Sequence, residues 1–134
     1  MRYKGPHKAY GLYAHVTWHT WRRQCSVSAP SARVIAAAVL QAAHRHNVNV
    51  LAQAVLADHI HLLVSYRPDT ALAGFIRDAK SESSRRANEQ TGSQLKWCRG
   101  YYAGSVSHSH IPAVRVYIAK QYHRHPDRIP ARAD

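Results

Sequence analysis

Two histidines stand one residue apart in an otherwise apolar run, ADHIHLLVSY, residues 57 to 66. Side chains alternate along a strand, so His59 and His61 point one way while Ile60, Leu62 and Val64 point the other. Two neutral imidazoles side by side can chelate one metal ion through ring nitrogens. The spacing alone is a weak signal, and the plainer reading is two polar residues at a sheet surface or strand end. Leu63 shares the histidine face where a histidine-triad hydrolase would carry a third imidazole. Barrel metallohydrolases also place His-x-His at strand ends, but 134 residues cannot build that barrel.

A second cluster lies near the end of the chain, in VRVYIAKQYHRH, residues 114 to 125. Tyr117 and Gln121 are four apart and share a helical face, with Lys120 and Arg124 on its border. Val114 and Ile118 form an apolar stripe beside them. Taken singly, Tyr117 reads as a half-buried aromatic and Gln121 as an exposed amide, but neither reading explains two cations on the same flank. Tyr122 lies far round the helix from Tyr117. His15, His19, His108, His110, His123 and His125 read as solvated polar residues or phosphate contacts rather than ligands.

The elements that must position these groups follow from periodicity. Residues 9–21 are aromatic and β-branched and predict a strand, with Tyr10, Leu12, Ala14, Val16 and Trp18 on one face and Tyr13, His15, Thr17 and His19 on the other. Ser28 and Pro30 open a helix that runs to about His46, with Ile35, Val39 and Ala42 on its apolar stripe. Residues 48–56 and 59–66 predict an antiparallel strand pair. Pro68, Asp69 and Thr70 open a second helix, with Leu72, Phe75, Ile76 and Ala79 facing the core, and Gly92 ends it. Residues 95–107 predict a fourth strand, loosened by Gly100 and Gly104, and Pro112 begins a last helix of about 111–125. The order β-α-β-β-α-β predicts an α+β, ferredoxin-like or RRM-like sandwich: a four-stranded antiparallel sheet with two helices on one face. The third helix is left to sit on the open face. With no repeat or linker, residues 1–134 form a single domain.

Charge bounds the partner. There are 19 Lys and Arg against 7 Asp and Glu, a net of +12, and so basic a small domain binds polyanions, nucleic acid by default. So few carboxylates disfavour a two-metal nuclease; only Asp78 and Glu82 share an obvious helical face. No apolar run reaches a membrane span, the opening MRYKGPHK lacks a signal-peptide core, and the two distant cysteines read as reduced thiols. These point to the cytoplasm.

Taken together, these residues resemble the single-tyrosine HUH transposases of insertion sequences that move as single-stranded DNA. His59-Ile60-His61 matches the family's His, bulky apolar, His motif, and YIAKQ matches its tyrosine helix. KWCRGYYAGSVS, residues 96 to 107, resembles its Trp-x-x-Gly-Tyr strand, and KSESS, residues 80 to 84, resembles the Lys and Ser run of its second helix. Lys120 departs from the Asn that many members carry. The resemblance implies that Tyr117 is the nucleophile, that His59, His61 and Gln121 hold a divalent metal, Mg²⁺ or Mn²⁺, and that strand cleavage leaves a 5′-phosphotyrosine. Phenols ionise near pKa ~10, so a tyrosine attacking at neutral pH needs such help. The implied substrate is single-stranded DNA with imperfect hairpins. The implied assembly is a homodimer in which the tyrosine helix of one subunit completes the metal site of the other. Lys80, Arg85, Arg86, Lys96, Arg99, Lys120 and Arg124 are candidate DNA contacts, and Trp18, Trp21, Tyr101 and Tyr102 can stack bases or pack the core.

Two other readings compete. One is a non-catalytic RNA- or DNA-binding RRM-like module, against which stands the missing RRM aromatic signature. The other is a related HUH nuclease with a different role, such as one domesticated to act on dispersed hairpins.

Overall fold

The structure is a computed structural model that describes residues 11–132. Four strands form one antiparallel sheet: β1 (Leu12–His19), β2 (Asn49–Val55), β3 (His59–Tyr66) and β4 (Tyr102–Ser105), in the spatial order β2-β3-β1-β4. This is the α+β sandwich that the element order predicts. The expected start of β1 at Ala9 and Tyr10 lies outside the described residues.

Two long helices cover one face. In α1 (Ala29–Arg45), Ser28 and Ser31 cap one another reciprocally, with Pro30 in the first turn. Its buried stripe of Ile35, Val39 and Ala42 meets Phe75, Ile76 and Ala79 of α2 (Leu72–Thr91) and the sheet residues Val16, Trp18, Ile60, Leu62 and Val64. Gly92 ends α2 at φ +69, a left-handed conformation natural to glycine. Arg45 pairs with Glu82 and His46 with Asp78 across the helix pair, the latter at 2.7 Å. Asp78 and Glu82, the one carboxylate pair that shared a helical face, thus hold helices together.

The other face carries α3 (Ile111–Ala119) and α4 (Gln121–Arg124). Ile118 is buried against Ala54, Leu56 and Leu63, with Ile111 and Val114 packed around them. The expected continuous helix of 111–125 breaks at Lys120, whose ψ of 1° departs from helical values. The break is slight, since Lys120 N still donates to Val116 O at 3.0 Å and Arg124 N to Lys120 O at 2.9 Å. Among the described residues, no helix is long and apolar enough to cross a membrane.

The fourth strand is shorter than the expected 95–107. Gly100 turns at φ +83, and the Lys80 ammonium donates to the carbonyls of Cys98 and Gly100 at 2.8 Å each, drawing the chain off the ladder. Residues before that turn keep one isolated bridge, from Trp97 to Thr20 just past the end of β1. Trp97 itself is packed into the core and donates from Nε1 to Ser83 at 3.0 Å. The Asn88 side chain holds the approach: Oδ1 accepts from Leu95 N at 2.7 Å and Ser93 Oγ at 2.8 Å, and Nδ2 donates to Leu95 O at 2.9 Å. Asn88→Ala strands buried partners of that loop, and should destabilise the protein by about 1–3 kcal/mol in urea denaturation.

Candidate active site

The site sits on the face of the sheet under α3. β1 and β3 pair antiparallel with His15 opposite Leu63, Thr17 opposite His61, and His19 opposite His59. The polar faces of both central strands therefore line one floor. Thr17, His19, Arg23, His59, His61, Tyr117 and His125 surround a cleft of about 240 Å³.

Each histidine of the pair is held by a different neighbour. Asp58, in the tight turn between β2 and β3, is 2% exposed, and its Oδ1 lies 2.6 Å from His59 Nδ1. A neutral His59 that donates from Nδ1 keeps its Nε2 lone pair free. His15 Nε2 lies 3.0 Å from His61 Nδ1, so a neutral His61 that donates to it likewise frees Nε2. Burial, then the positive charges that His59, His15 and His125 would carry, push the His61 pKa down to about 3. Burial also lowers that of His15. A neutral imidazole is the form that binds metal.

Tyr117 reaches the pair from α3. Its ring stands edge-on to His61 at 5.7 Å between centroids and to His15 at 5.8 Å, and the Arg124 guanidinium covers it at 5.2 Å. It is 38% exposed, open to a large substrate. One turn on, Gln121 is fully buried, and its Nε2 donates back to Tyr117 O at 3.0 Å. Its Oε1 is buried with no hydrogen-bond donor among the described residues. The amide nonetheless lies close enough to His61 to oppose the fall in that ring's pKa.

An orphaned buried oxygen beside the imidazole pair fits a hard-to-borderline divalent cation. Among the described residues, no three His, Cys, Asp or Glu side chains meet as a metal cluster. The uncommitted donors are Nε2 of His59, Nε2 of His61 and Oε1 of Gln121.

The structure thus brings together Tyr117, His59, His61 and Gln121, with Arg124 alongside. The other expected DNA contacts lie elsewhere. Lys80, Lys96 and Arg99 line a groove between α2 and residues 95–99. Arg85 faces Glu89 at 3.6 Å, and Arg86 bonds Gln41 and Glu82. Lys120 is exposed at the helix break. Trp18 is core, 2% exposed, and is no base platform. Tyr122 uses its hydroxyl on the β2 backbone, accepting from Val55 N at 3.1 Å and donating to Val55 O at 3.3 Å, which leaves it outside the chemistry. Sequence reasoning missed Asp58, His15 and His125 as site residues. His125 stacks edge-on to His59 at 5.6 Å. The one signal for His15 was its place on the polar face of β1.

Known proteins share this fold and sequence. The family model described as "Transposase IS200 like" matches residues 8–121. The chain is 27% identical over 123 residues to the transposase of insertion sequence element IS200 from Salmonella typhimurium, covering 86% of this chain and 80% of that one. It is also 27% identical over 126 residues to the ISDra2 transposase TnpA of Deinococcus radiodurans, covering 89% and 90%. A crystal structure from Deinococcus radiodurans assigned as a transposase superposes with a TM-score of 0.68 at 24% identity, covering 90% of this chain and 98% of that one. A REP-associated tyrosine transposase bound to a REP hairpin superposes with a TM-score of 0.67 at 14% identity, covering 93% and 74%.

The His61 environment sets a pH dependence. The ring binds a proton near 6.5 when unfolded and near 3 when folded, so the unfolded state takes up more protons across that window. Stability is complete above about 6.5 and falls as pH drops towards 3. Thermal denaturation of the metal-free protein should show this fall, and His61→Gln should flatten it by a margin on the order of a few kcal/mol.

Proposed function

The chain belongs to the IS200-like transposase family, and from that premise we propose that it cuts and rejoins single-stranded DNA through a phosphotyrosine at Tyr117. One observation carries the reading: the Tyr117 ring and the His59–His61 pair line one open cleft, and the buried Gln121 amide, its oxygen orphaned, lies beside His61.

Nε2 of His59 and His61 with Oε1 of Gln121 would hold Mg²⁺ or Mn²⁺, which when bound would polarise the scissile phosphate and neutralise its developing charge. Asp58 and His15 orient the two imidazoles and fix their tautomers. Arg124 holds the Tyr117 ring and sets a positive charge beside it. The Tyr117 phenol attacks phosphorus, the bond to the 3′ oxygen breaks, and the 5′ phosphate stays on the tyrosine. Attack by another strand's 3′ hydroxyl reverses these bond changes and frees Tyr117. The covalent link conserves the phosphodiester energy, so the reaction needs no nucleotide cofactor.

The substrate in this reading is single-stranded DNA whose ends fold into imperfect hairpins, met in the cytoplasm. A homodimer would carry two such clefts. Exchange of α3 between subunits would dock the same Ile118 surface on the same strands, so the chemistry is indifferent to which subunit supplies the helix.

Incubation with single-stranded DNA from the flanks of its own gene and Mg²⁺ or Mn²⁺ should leave a covalent adduct on a denaturing gel. Chelation of the metal should prevent it. Tyr117→Phe should abolish the adduct and spare hairpin binding; cutting by that variant would disprove the assignment. Wild-type protein that binds hairpins and never cuts would favour a non-catalytic module. Asp58→Ala should lower the cleavage rate by about 10–100-fold, through a loosened His59.

A further inference from the structure

Immediately after β1 the chain makes a 3₁₀ turn, Trp21–Arg23, in which both Arg22 and Arg23 adopt left-handed φ of 55°. Two consecutive arginines in that region are strained, because each Cβ crowds its own backbone, and strain of this kind collects at functional sites. The turn is firmly held. Fully buried Thr20 donates from Oγ1 to Gln24 O at 2.6 Å, Arg23 N donates to Thr20 O at 3.0 Å, and Trp21 N donates to Lys96 O at 2.8 Å.

That effort presents three groups to solvent. Trp21 is 40% exposed, whereas Trp18 and Trp97 are buried at 2% and 8%. Lys96 lies 4.6 Å and Arg22 lies 5.5 Å from its ring centroid. Arg23 lines the cleft that holds His59, His61 and Tyr117. Lys96, which covers the Trp21 ring, also lines with Arg99 the groove along α2, of about 310 Å³. Among the described residues, none of Arg22, Arg23, Lys96 and Arg99 pairs with a carboxylate. An exposed indole between unpaired cations, set beside a cleft, is the arrangement that grips an unpaired nucleotide: the ring stacks the base and the cations take the flanking phosphates.

We propose that the turn Thr20–Gln24 is a nucleotide subsite, in which Trp21 stacks an unpaired base of the single strand leaving the cleft and Arg23 binds its phosphate. The subsite rests on the proposed reading of the cleft, since it assigns the path of the strand away from Tyr117. The strand crosses Trp21 from the cleft and continues into the Lys96–Arg99 groove. A base enters by displacing Lys96 or Arg22 from the indole, and the displaced cation meets the adjoining phosphate.

Trp21 is the only one of the three tryptophans exposed to solvent, which gives a direct test on the full-length, metal-free protein. Short oligothymidylate should quench tryptophan emission saturably, and a duplex of equal length should not. Trp21→Ala should lose the quench and weaken binding about 5–150-fold, while Trp21→Phe should lose the quench and keep most of the affinity. Arg23→Gln should reduce the slope of log affinity against log salt by about 0.7. The subsite is overturned if oligothymidylate binds without quenching, if duplex quenches equally, or if a folded Trp21→Phe protein binds as weakly as Trp21→Ala. Tyr117→Phe should quench like wild type. Quenching without any DNA adduct therefore removes the cleavage chemistry and keeps the subsite, whereas an adduct without quenching removes the subsite alone.

Discussion

Ile118, buried against Ala54, Leu56 and Leu63, joins the phenol to the imidazoles. Every other feature of the site depends on that contact. Tyr117 precedes Ile118 and Gln121 follows it by three, so docking the apolar stripe of α3 on the sheet swings both polar residues over His61. β3 answers with two apolar faces. Ile60, Leu62 and Val64 pack on α1 and α2, and Leu63 packs on α3. His59 and His61 precede Leu63 on that second face, and the helix lands beside them. The buried cluster under α3 is small beside the core under α1 and α2, and apolar burial is worth roughly 25 cal/mol per Å². α3 is thus held to the sheet by less apolar contact than α1 and α2.

The helix is also tied beyond its end. After α4 the chain returns to the start of α1 and the β2–β3 turn, where Ala29 N donates to Ala131 O at 2.7 Å and Ala57 N donates to Arg128 O at 2.6 Å. Arg128 then stands 3.6 Å from Asp58, the carboxylate that orients His59. A buried carboxylate needs such partners, because an unpaired charge of this kind is costly. The imidazole, the carboxylate and the guanidinium form one chain of contacts from the cleft to the C-terminal segment.

Periodicity alone located much of this. Period two along residues 59–66 separates the imidazoles from the core residues, and spacing of four in the last helix pairs Tyr117 with Gln121. Both are local rules, and both survive in the structure. His15, by contrast, meets His61 across 46 residues of sequence. Its partner is fixed by the register of β1 on β3, which side-chain alternation does not supply. The fourth strand is shorter than its sequence pattern predicts for a related reason. Residues 95–107 look extended residue by residue, but a distant ammonium, Lys80, holds the Cys98 and Gly100 carbonyls and takes the chain off the ladder. Lys80 looked like a phosphate contact because sequence records a charge and not what the charge already touches.

What the charges touch also decides which face meets nucleic acid. The net of +12 is a property of the whole chain, but its carboxylates are unevenly placed. Asp78, Glu82 and Glu89 all lie on α2, where they face His46, Arg45, Arg86 and Arg85. Neutralisation is therefore concentrated on the helical layer. On the sheet side, Arg23, Arg115, Lys120 and Arg124 have no carboxylate partner among the described residues. With a Debye length of about 8 Å at physiological salt, the paired cations of α2 contribute little at a distance, while the unpaired ones act directly on a strand in the cleft. The same sandwich that buries its apolar residues between helices and sheet thus turns uncompensated charge towards the face that carries Tyr117, and a polyanion is drawn to that face.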